Sequence, residues 1–180
     1  MTTTYIAFLR AINVGGHNVK MEHLRELFGE LGFNNVRTYI QTGNVFFETS
    51  ETDRDKLTKK IEDHLVQFLG YEVTTFLRTI PELEHALNVA PFKTIEPTED
   101  TRHCIVFISR PLEKSVTFPL ISPKKDMEIL GATDSEAFVK WYIINGRPPS
   151  SGTFLDKALG KSTSRFYSTA IKILEAAKNG

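Results

Sequence analysis

The chain has 180 residues, of which 41% are hydrophobic and 24% are charged. Its 22 basic and 22 acidic side chains cancel, so the composition predicts an ordinary globular protein of one domain or two small ones and disfavours nucleic acid as a partner. The single cysteine excludes an internal disulfide framework and a four-cysteine zinc site, and it favours a cytoplasmic location.

The first half alternates between strand and helix patterns. We expect the elements in this order: strand 5–12, helix 21–31, strand 36–40, strand 45–48, helix 57–69 and strand 71–77. Glycines follow both helices, and Gly43 in the short link before residue 45 favours a hairpin with positive φ. The resulting order β-α-β-β-α-β is the split βαβ signature of a ferredoxin-like α+β fold.

The second half predicts a smaller, less regular α+β subdomain. Thr79 and Glu82 form a capping box for a short helix, and the prolines and charges of residues 91–100 predict a linker. We therefore expect domains at 1–90 and 101–180. The elements expected in the second domain are strand 103–108, a hairpin of 127–130 with 137–144, helix 154–159, and a basic C-terminal helix capped by Ser162, Thr163 or Ser164. No sequence repeat is convincing, although a degenerate second α/β unit stays open.

Charge is unevenly spread along the chain. Residues 1–90 carry 9 basic and 12 acidic side chains, whereas residues 140–180 carry 7 and 2, a net charge of +5. The basic end either attracts an anionic ligand or docks on the acidic first half, and docking is the favoured interpretation.

The segment after the first strand is the main candidate site. Arg10 stands inside an apolar run, so it pairs with a carboxylate, caps carbonyl groups or reaches a ligand. Gly15 and Gly16 lead into the N-terminus of the first helix, where Lys20 adds a positive charge. Converging backbone N–H groups at a helix start can bind an anion, although a tight turn that needs positive φ is the favoured alternative.

Several chemistries lack their motif. Residues 160–163 resemble the end of a P-loop, but Leu155 replaces the glycine that the motif requires. The five histidines show no zinc-protease spacing, Cys104 lies in an apolar strand, and only His17 is a weak acid–base candidate. We expect no metal site, no cofactor, no signal peptide and no membrane span, and whether the protein is an enzyme stays open.

Nucleic-acid recognition is the least favoured function. Ferredoxin-like modules that bind RNA stack bases on aromatic side chains of the central strands. Phe46 and Phe47 are adjacent in sequence, so they point to opposite faces and only one of them could stack on a base.

Two motifs identify a family resemblance. Residues 10–16 read R-A-I-N-V-G-G, the first helix ends in L-G-F, and residues 37–44 read R-T-Y-I-Q-T-G-N. This combination resembles the bacterial domain-of-unknown-function 1697 family. Residues 163–169 resemble a diverged copy of its T-x-R-N-W-x-T segment, with Phe166 and Tyr167 in place of Asn and Trp. The resemblance implies a ferredoxin-like α+β fold and no established activity, so it assigns no catalytic residue.

Antiparallel pairing of the first and third strands would bring the motif residues to one edge of the sheet. The leading hypothesis is therefore a small anion-accepting site, for phosphate or carboxylate, at the Gly-Gly segment. The candidate ligand-binding residues are Arg10, Asn13, Gly15, Gly16, Lys20, Gln41, Asn44 and Arg165. The alternative is a structural or protein-interaction module, in which these residues knit loops together and a sheet face pairs with a second subunit; a homo-oligomer stays open.

Overall fold

A computed structural model of the chain describes residues 1–150 and 152–180 and divides into two compact units. The first unit combines Met1–Glu84 with Ile173–Gly180, and the second is His85–Lys172. The two antiparallel sheets and the helices confirm the predicted α+β class. The units differ from the expected domains, because the break falls before residue 90 and the end of the C-terminal helix belongs to the first unit. Within the described residues, no helix has the length and apolarity that crossing a membrane requires.

The first unit follows the predicted order of elements. These are β1 (Thr3–Leu9), α1 (Met21–Glu30), β2 (Asn34–Thr38), β3 (Asn44–Thr49), α2 (Arg54–Leu69), β4 (Thr75–Thr79) and the start of α3 (Ile80–Val89). The four strands form one antiparallel sheet in the order β2-β3-β1-β4. This order is compatible with the predicted ferredoxin-like arrangement, in which the first strand lies between the third and the fourth.

Local signals set the ends of the helices in the first unit. The Asp53 side chain accepts a hydrogen bond from the Lys56 backbone N–H at 3.0 Å and so caps α2, which ends at Gly70 in the left-handed conformation. The Glu82 carboxylate accepts the Thr79 backbone N–H at 2.7 Å, which confirms the predicted capping box.

The core of the first unit lies between α1, α2 and one face of the sheet. Alternate side chains of β1, including Ala7 and Leu9, pack with apolar residues of both helices. Phe47 of β3 is fully buried at the centre of this cluster, where its ring stacks on Phe33 at 4.4 Å and on Tyr5 at 5.7 Å. Burial of each large side chain contributes about 1.5–3 kcal/mol to stability.

The second unit is built around a five-stranded sheet. After the end of α3 and a short 3-10 turn at Pro91–Lys93, its elements are β5 (Thr101–Ile108), β6 (Leu120–Ile121), β7 (Met127–Ala132), β8 (Glu136–Tyr142), α4 (Gly152–Leu159), β9 (Ser162–Phe166) and α5 (Tyr167–Lys178), whose last turns lie in the first unit. The strands are antiparallel in the order β6-β7-β8-β5-β9. The predicted hairpin around residues 133–135 is confirmed as β7 and β8.

The second unit repeats the strand order of the first. Without β6, its sheet reads β7-β8-β5-β9, which corresponds position by position to β2-β3-β1-β4. The register repeats as well, because Arg78 of β4 lies opposite Ile6 and Arg165 of β9 lies opposite Ile105. The degenerate second α/β unit that the sequence left open is therefore present.

Two predicted elements are corrected by the structure. The strand expected at residues 5–12 ends at Leu9, because Ala11 and Asn13 adopt positive φ and leave the extended region. The caps expected for the last helix at residues 162–164 are wrong, since this segment is the strand β9 and pairs with β5. The last helix begins at Tyr167 instead.

Candidate functional site

The segment between β1 and α1, residues 10–20, is the candidate site and is called the glycine loop below. Its positive φ angles are 69° at Ala11, 55° at Asn13, 60° at Gly15 and 90° at Gly16. Residues with positive φ thus alternate with residues of ordinary φ over 11–15, and an alternation of this kind is characteristic of the backbone nests that bind anions. Ala11 holds a conformation that costs an L-residue about 1–2 kcal/mol.

The two glycines are needed for their backbone conformation and not for space. A Cβ atom added at Gly15 or Gly16 would meet nothing within 4 Å, and both residues are exposed. Their side of the loop is therefore open to solvent. Apart from the His17 N–H, which donates to the Val14 carbonyl at 3.1 Å, the described residues accept no hydrogen bond from the backbone N–H groups of residues 11–16.

Asn13 ties the glycine loop to the hairpin between β2 and β3. Its amide nitrogen donates to the Gln41 carbonyl at 2.8 Å and to the Val19 carbonyl at 3.2 Å, while its side-chain oxygen accepts the Val19 N–H at 2.7 Å. Both hydrogens of the Asn13 amide are therefore donated to backbone carbonyl groups. Asn13 shapes the loop and leaves no donor for a ligand.

The hairpin turn lies where antiparallel pairing predicted it. Asn44, the first residue of β3, is opposite Phe8 near the end of β1, and it is fully buried. Its amide donates to the Tyr39 carbonyl at 3.1 Å and to the Thr42 hydroxyl at 2.9 Å. Asn44 therefore holds the turn, whereas the Gln41 side chain is exposed beside it.

Positive charges stand at both ends of the glycine loop. Arg10 follows the last residue of β1 and is half-buried, so it is not the charge within a sheet that the sequence predicted. Its backbone N–H donates to the Thr74 carbonyl at 2.9 Å. Lys20 is exposed at the start of α1 and makes no side-chain cap there, which leaves its ammonium group in solvent.

A pair of stacked rings closes one side of the loop. The His17 ring lies on the Tyr71 ring at 3.7 Å and 21° between planes. The Tyr71 hydroxyl is buried and has no hydrogen-bond partner among the described residues. Burial raises the pKa of Tyr71, so the hydroxyl keeps its proton as a donor. The sequence pattern did not predict Tyr71 as a site residue. It placed Tyr71 in a strand over residues 71–77, whereas β4 begins at Thr75.

Arg165 lies in the second unit, on β9 and not at a helix N-terminus as expected. It is 8% exposed, and one guanidinium nitrogen donates to the Thr163 hydroxyl at 2.9 Å and to the Ser164 carbonyl at 2.8 Å. Burial lowers the pKa of Arg165 to about 10. These two partners belong to the same strand as Arg165, which indicates a structural role for the side chain.

The described residues supply no other reactive cluster. Among them, no group of three or more His, Cys, Asp or Glu side chains is placed to hold a metal ion. Cys104 is fully buried, and burial raises the pKa of its thiol, so it stays protonated and unreactive as the sequence predicted.

Comparison with known proteins gives a family and a fold. The family model "Protein of unknown function (DUF1697)" matches residues 1–138. Curated proteins give no match. Among solved structures, the conserved bacterial protein SP0830 from Streptococcus pneumoniae is similar, with a TM-score of 0.69 and 20% sequence identity over 98% of this chain and 99% of that one. At this identity the likeness shows the fold alone. The family model covers most of the chain, so this protein belongs to the DUF1697 family of proteins of unknown function.

Proposed function

We propose that the protein binds a small anion, a phosphate or a carboxylate, at the glycine loop. The observation that carries this proposal is the run of four positive φ angles over residues 11–16, with backbone N–H groups that the described residues leave without acceptors. Backbone N–H groups in nests of this kind bind anions, because each contributes a fixed partial positive charge.

Charge around the loop supports the same ligand class. Arg10 and Lys20 flank the loop, and the N-terminus of α1 adds the positive end of a helix dipole without a side chain that caps it. The Tyr71 ring stacks on the His17 ring, and the buried Tyr71 hydroxyl is a neutral donor without a partner among the described residues. We favour binding over catalysis, and among the described residues no group of three or more His, Cys, Asp or Glu side chains could hold a metal ion beside these donors.

A second candidate function is a protein-interaction module without a ligand. The two asparagines of the motif favour this second function. Asn13 and Asn44 donate their amide hydrogens to groups of the loop and the turn, which leaves none of them for a ligand. In that case the motif exists to fold the loop, and exposed apolar side chains such as Val14 and Ile40 would contact a partner.

The test is a titration of the whole chain with inorganic phosphate, acetate, and a short oligonucleotide, followed by thermal unfolding and amide NMR shifts. We expect phosphate to raise the melting temperature and to shift the amide signals of residues 11–17. The Lys20→Gln variant should weaken binding by about fivefold, equivalent to about 1 kcal/mol. Lys172→Gln, which removes an equal charge from an exposed position on α5, is the control and should bind as wild type.

Two results would contradict the proposal. One is a wild-type protein whose melting temperature and loop amides respond to none of the anions. The other is equal phosphate binding by wild type and by a folded Arg10→Gln variant. Either result, together with a lower melting temperature of Arg10→Gln in the absence of ligand, would favour the interaction module.

A further inference from the structure

The second unit contains a cavity that the glycine loop does not involve. It has a volume of about 180 Å³ and lies between the turn after β6 and the first turns of α4. It is called the α4 cavity below. Its polar lining side chains are Ser122, Lys124, Asp126, Ser150, Thr153 and Lys157. The ring of Phe154 adds an apolar wall.

A buried serine and aspartate build one side of the α4 cavity. Ser122 is 2% exposed, and its hydroxyl donates to the Asp126 carboxylate at 2.7 Å while it accepts the N–H groups of Asp126 and Met127. Asp126 is 6% exposed, and its carbonyl accepts the Tyr142 N–H at 2.9 Å. These hydrogen bonds hold the turn at residues 122–127 in one conformation. Asp126 therefore has a fixed position in the wall of the cavity.

Two lysines on the cavity wall lack a carboxylate partner. Lys124 donates to the Ser150 hydroxyl at 3.0 Å, and neither it nor Lys157 forms an ion pair within the described residues. Other surface lysines do pair, for example Lys56 with Glu51 and Lys59 with Asp63. The two ammonium groups at the cavity are therefore available to an anion.

The combination of charges restricts the ligand. Two ammonium groups match the charge of a phosphate monoester, and the hydroxyls of Ser150 and Thr153 are further donors to its oxygens. A bare phosphate would be repelled by the Asp126 carboxylate on the same wall. A carboxylate accepts hydrogen bonds from hydroxyl groups. A ligand that matches both the two ammonium groups and the carboxylate therefore carries a phosphate at one end and hydroxyl groups at the other.

From this arrangement we propose that the α4 cavity binds a small phosphorylated, hydroxyl-bearing molecule of the sugar phosphate class. Lys124 and Lys157 hold the phosphate, and Asp126 accepts the hydroxyl groups. This site is separate from the anion site proposed at the glycine loop, because its residues all belong to the second unit.

The test is isothermal titration calorimetry of the whole chain with glucose 6-phosphate, glucose and inorganic phosphate. We expect glucose 6-phosphate to bind more tightly than either of the other two. Lys157→Gln and Lys124→Gln should each weaken its binding by about tenfold, as expected for loss of one charged hydrogen-bond donor. Lys172→Gln removes the same charge from the exposed face of α5 and should bind as wild type.

Amide NMR shifts during the same titration separate this proposal from the previous one. Shifts induced by glucose 6-phosphate at residues 122–127 and 153–157 support the α4 cavity. Shifts confined to residues 11–17 overturn it and leave the glycine loop as the anion site. The proposal is also overturned if wild type gives no binding heat with glucose 6-phosphate, or if both lysine variants bind it as tightly as wild type does. It is overturned as well if inorganic phosphate shifts the amide signals of residues 122–127 as strongly as glucose 6-phosphate does.

Discussion

The first two strands of each repeat are connected differently in the two units. In the first unit a helix of 10 residues, α1, joins β1 to β2, whereas in the second unit residues 109–126, with the short strand β6, join β5 to β7. Leu112, Phe118 and Leu120 of that segment pack against the second core. The sheet face that carries the core is therefore covered by apolar side chains in both units. An irregular segment covers it in the second unit, where α1 has no counterpart.

The pairing of the central strands is preserved despite this difference. The Leu9 N–H donates to the Gly43 carbonyl at 2.8 Å, and the Ile108 N–H donates to the Ser135 carbonyl at 2.9 Å. Each unit also buries an arginine on its last strand, whose guanidinium donates to the carbonyl of the preceding residue: Arg78 to Leu77 and Arg165 to Ser164. Strand register is therefore the conserved part of the repeat, and the crossover is the variable part.

Core truncation should give the largest difference between the units. Phe47 and Val139 occupy equivalent register positions, and both are fully buried. We expect Phe47→Ala to lower the free energy of unfolding by about 3–5 kcal/mol and Val139→Ala by about 2 kcal/mol, because the larger ring leaves the larger cavity. Urea unfolding followed by circular dichroism measures both. Phe47→Leu is the milder control, and equal losses in the two alanine variants would contradict the expected dependence on the size of the buried side chain.

A turn substitution should give the intermediate difference. Gly43 has a φ of 77°, and a Cβ there would lie 2.9 Å from the Ile12 Cβ. Gly43→Ala should therefore cost about 2 kcal/mol, from left-handed strain and crowding together. The equivalent Ser135 already carries a Cβ, so Ser135→Ala should change the unfolding free energy by less than about 0.5 kcal/mol. Thermal unfolding of both variants would refute the assigned equivalence if Ser135→Ala proved the more damaging.

Acidification should give the smallest effect, confined to the second unit. His103 is 6% exposed, and its Nε2 atom has no hydrogen-bond partner among the described residues. Burial and then the nearby Lys140 lower the pKa of His103, which Glu96 partly offsets. As pH falls, the unfolded chain therefore takes up the proton before the folded chain does. The stability that neutral His103 contributes is thus present above the ordinary histidine pKa of 6.5 and is lost as pH falls below it.

The measurement for this prediction is the melting temperature between about pH 7.5 and pH 5.5. His103→Thr introduces the residue that the first unit has at the equivalent position, Thr4. We expect the variant to lose less of its melting temperature on acidification than the wild type does, whatever its stability at neutral pH. A steeper loss in His103→Thr would mean that another group governs the acid response.

Much of the first unit could be predicted because its signals are local. Gly70 and the pair Thr79–Glu82 set helix ends through contacts with residues nearby in sequence, and both predictions were confirmed. The end of β1 was wrong because the apolar pattern continues through Ile12, while the chain turns at Ala11 under contacts with residues far away in sequence.

The sequence pattern did not predict elements whose conformation depends on pairing with residues far away in sequence. The segment 162–166 has the Ser and Thr residues of a helix cap, but pairing with β5 makes it a strand. The candidate site shows the same limit. The glycines and the position of Asn44 could be predicted from turn chemistry and strand pairing. The roles of Asn13 and Tyr71 could not, because their contacts form only when the loop is folded.

The division of the first unit between the two ends of the chain bears on its synthesis. Arg37 donates to the Ala176 carbonyl at 3.0 Å, and Lys178 pairs with Glu84, so the last turns of α5 complete a unit whose other residues precede position 85. Because a ribosome releases the chain from the N-terminus onward, this unit has to wait for residues 173–180 while the whole second unit is made. A nascent chain that stops at residue 172 would carry a finished second unit and an incomplete first one.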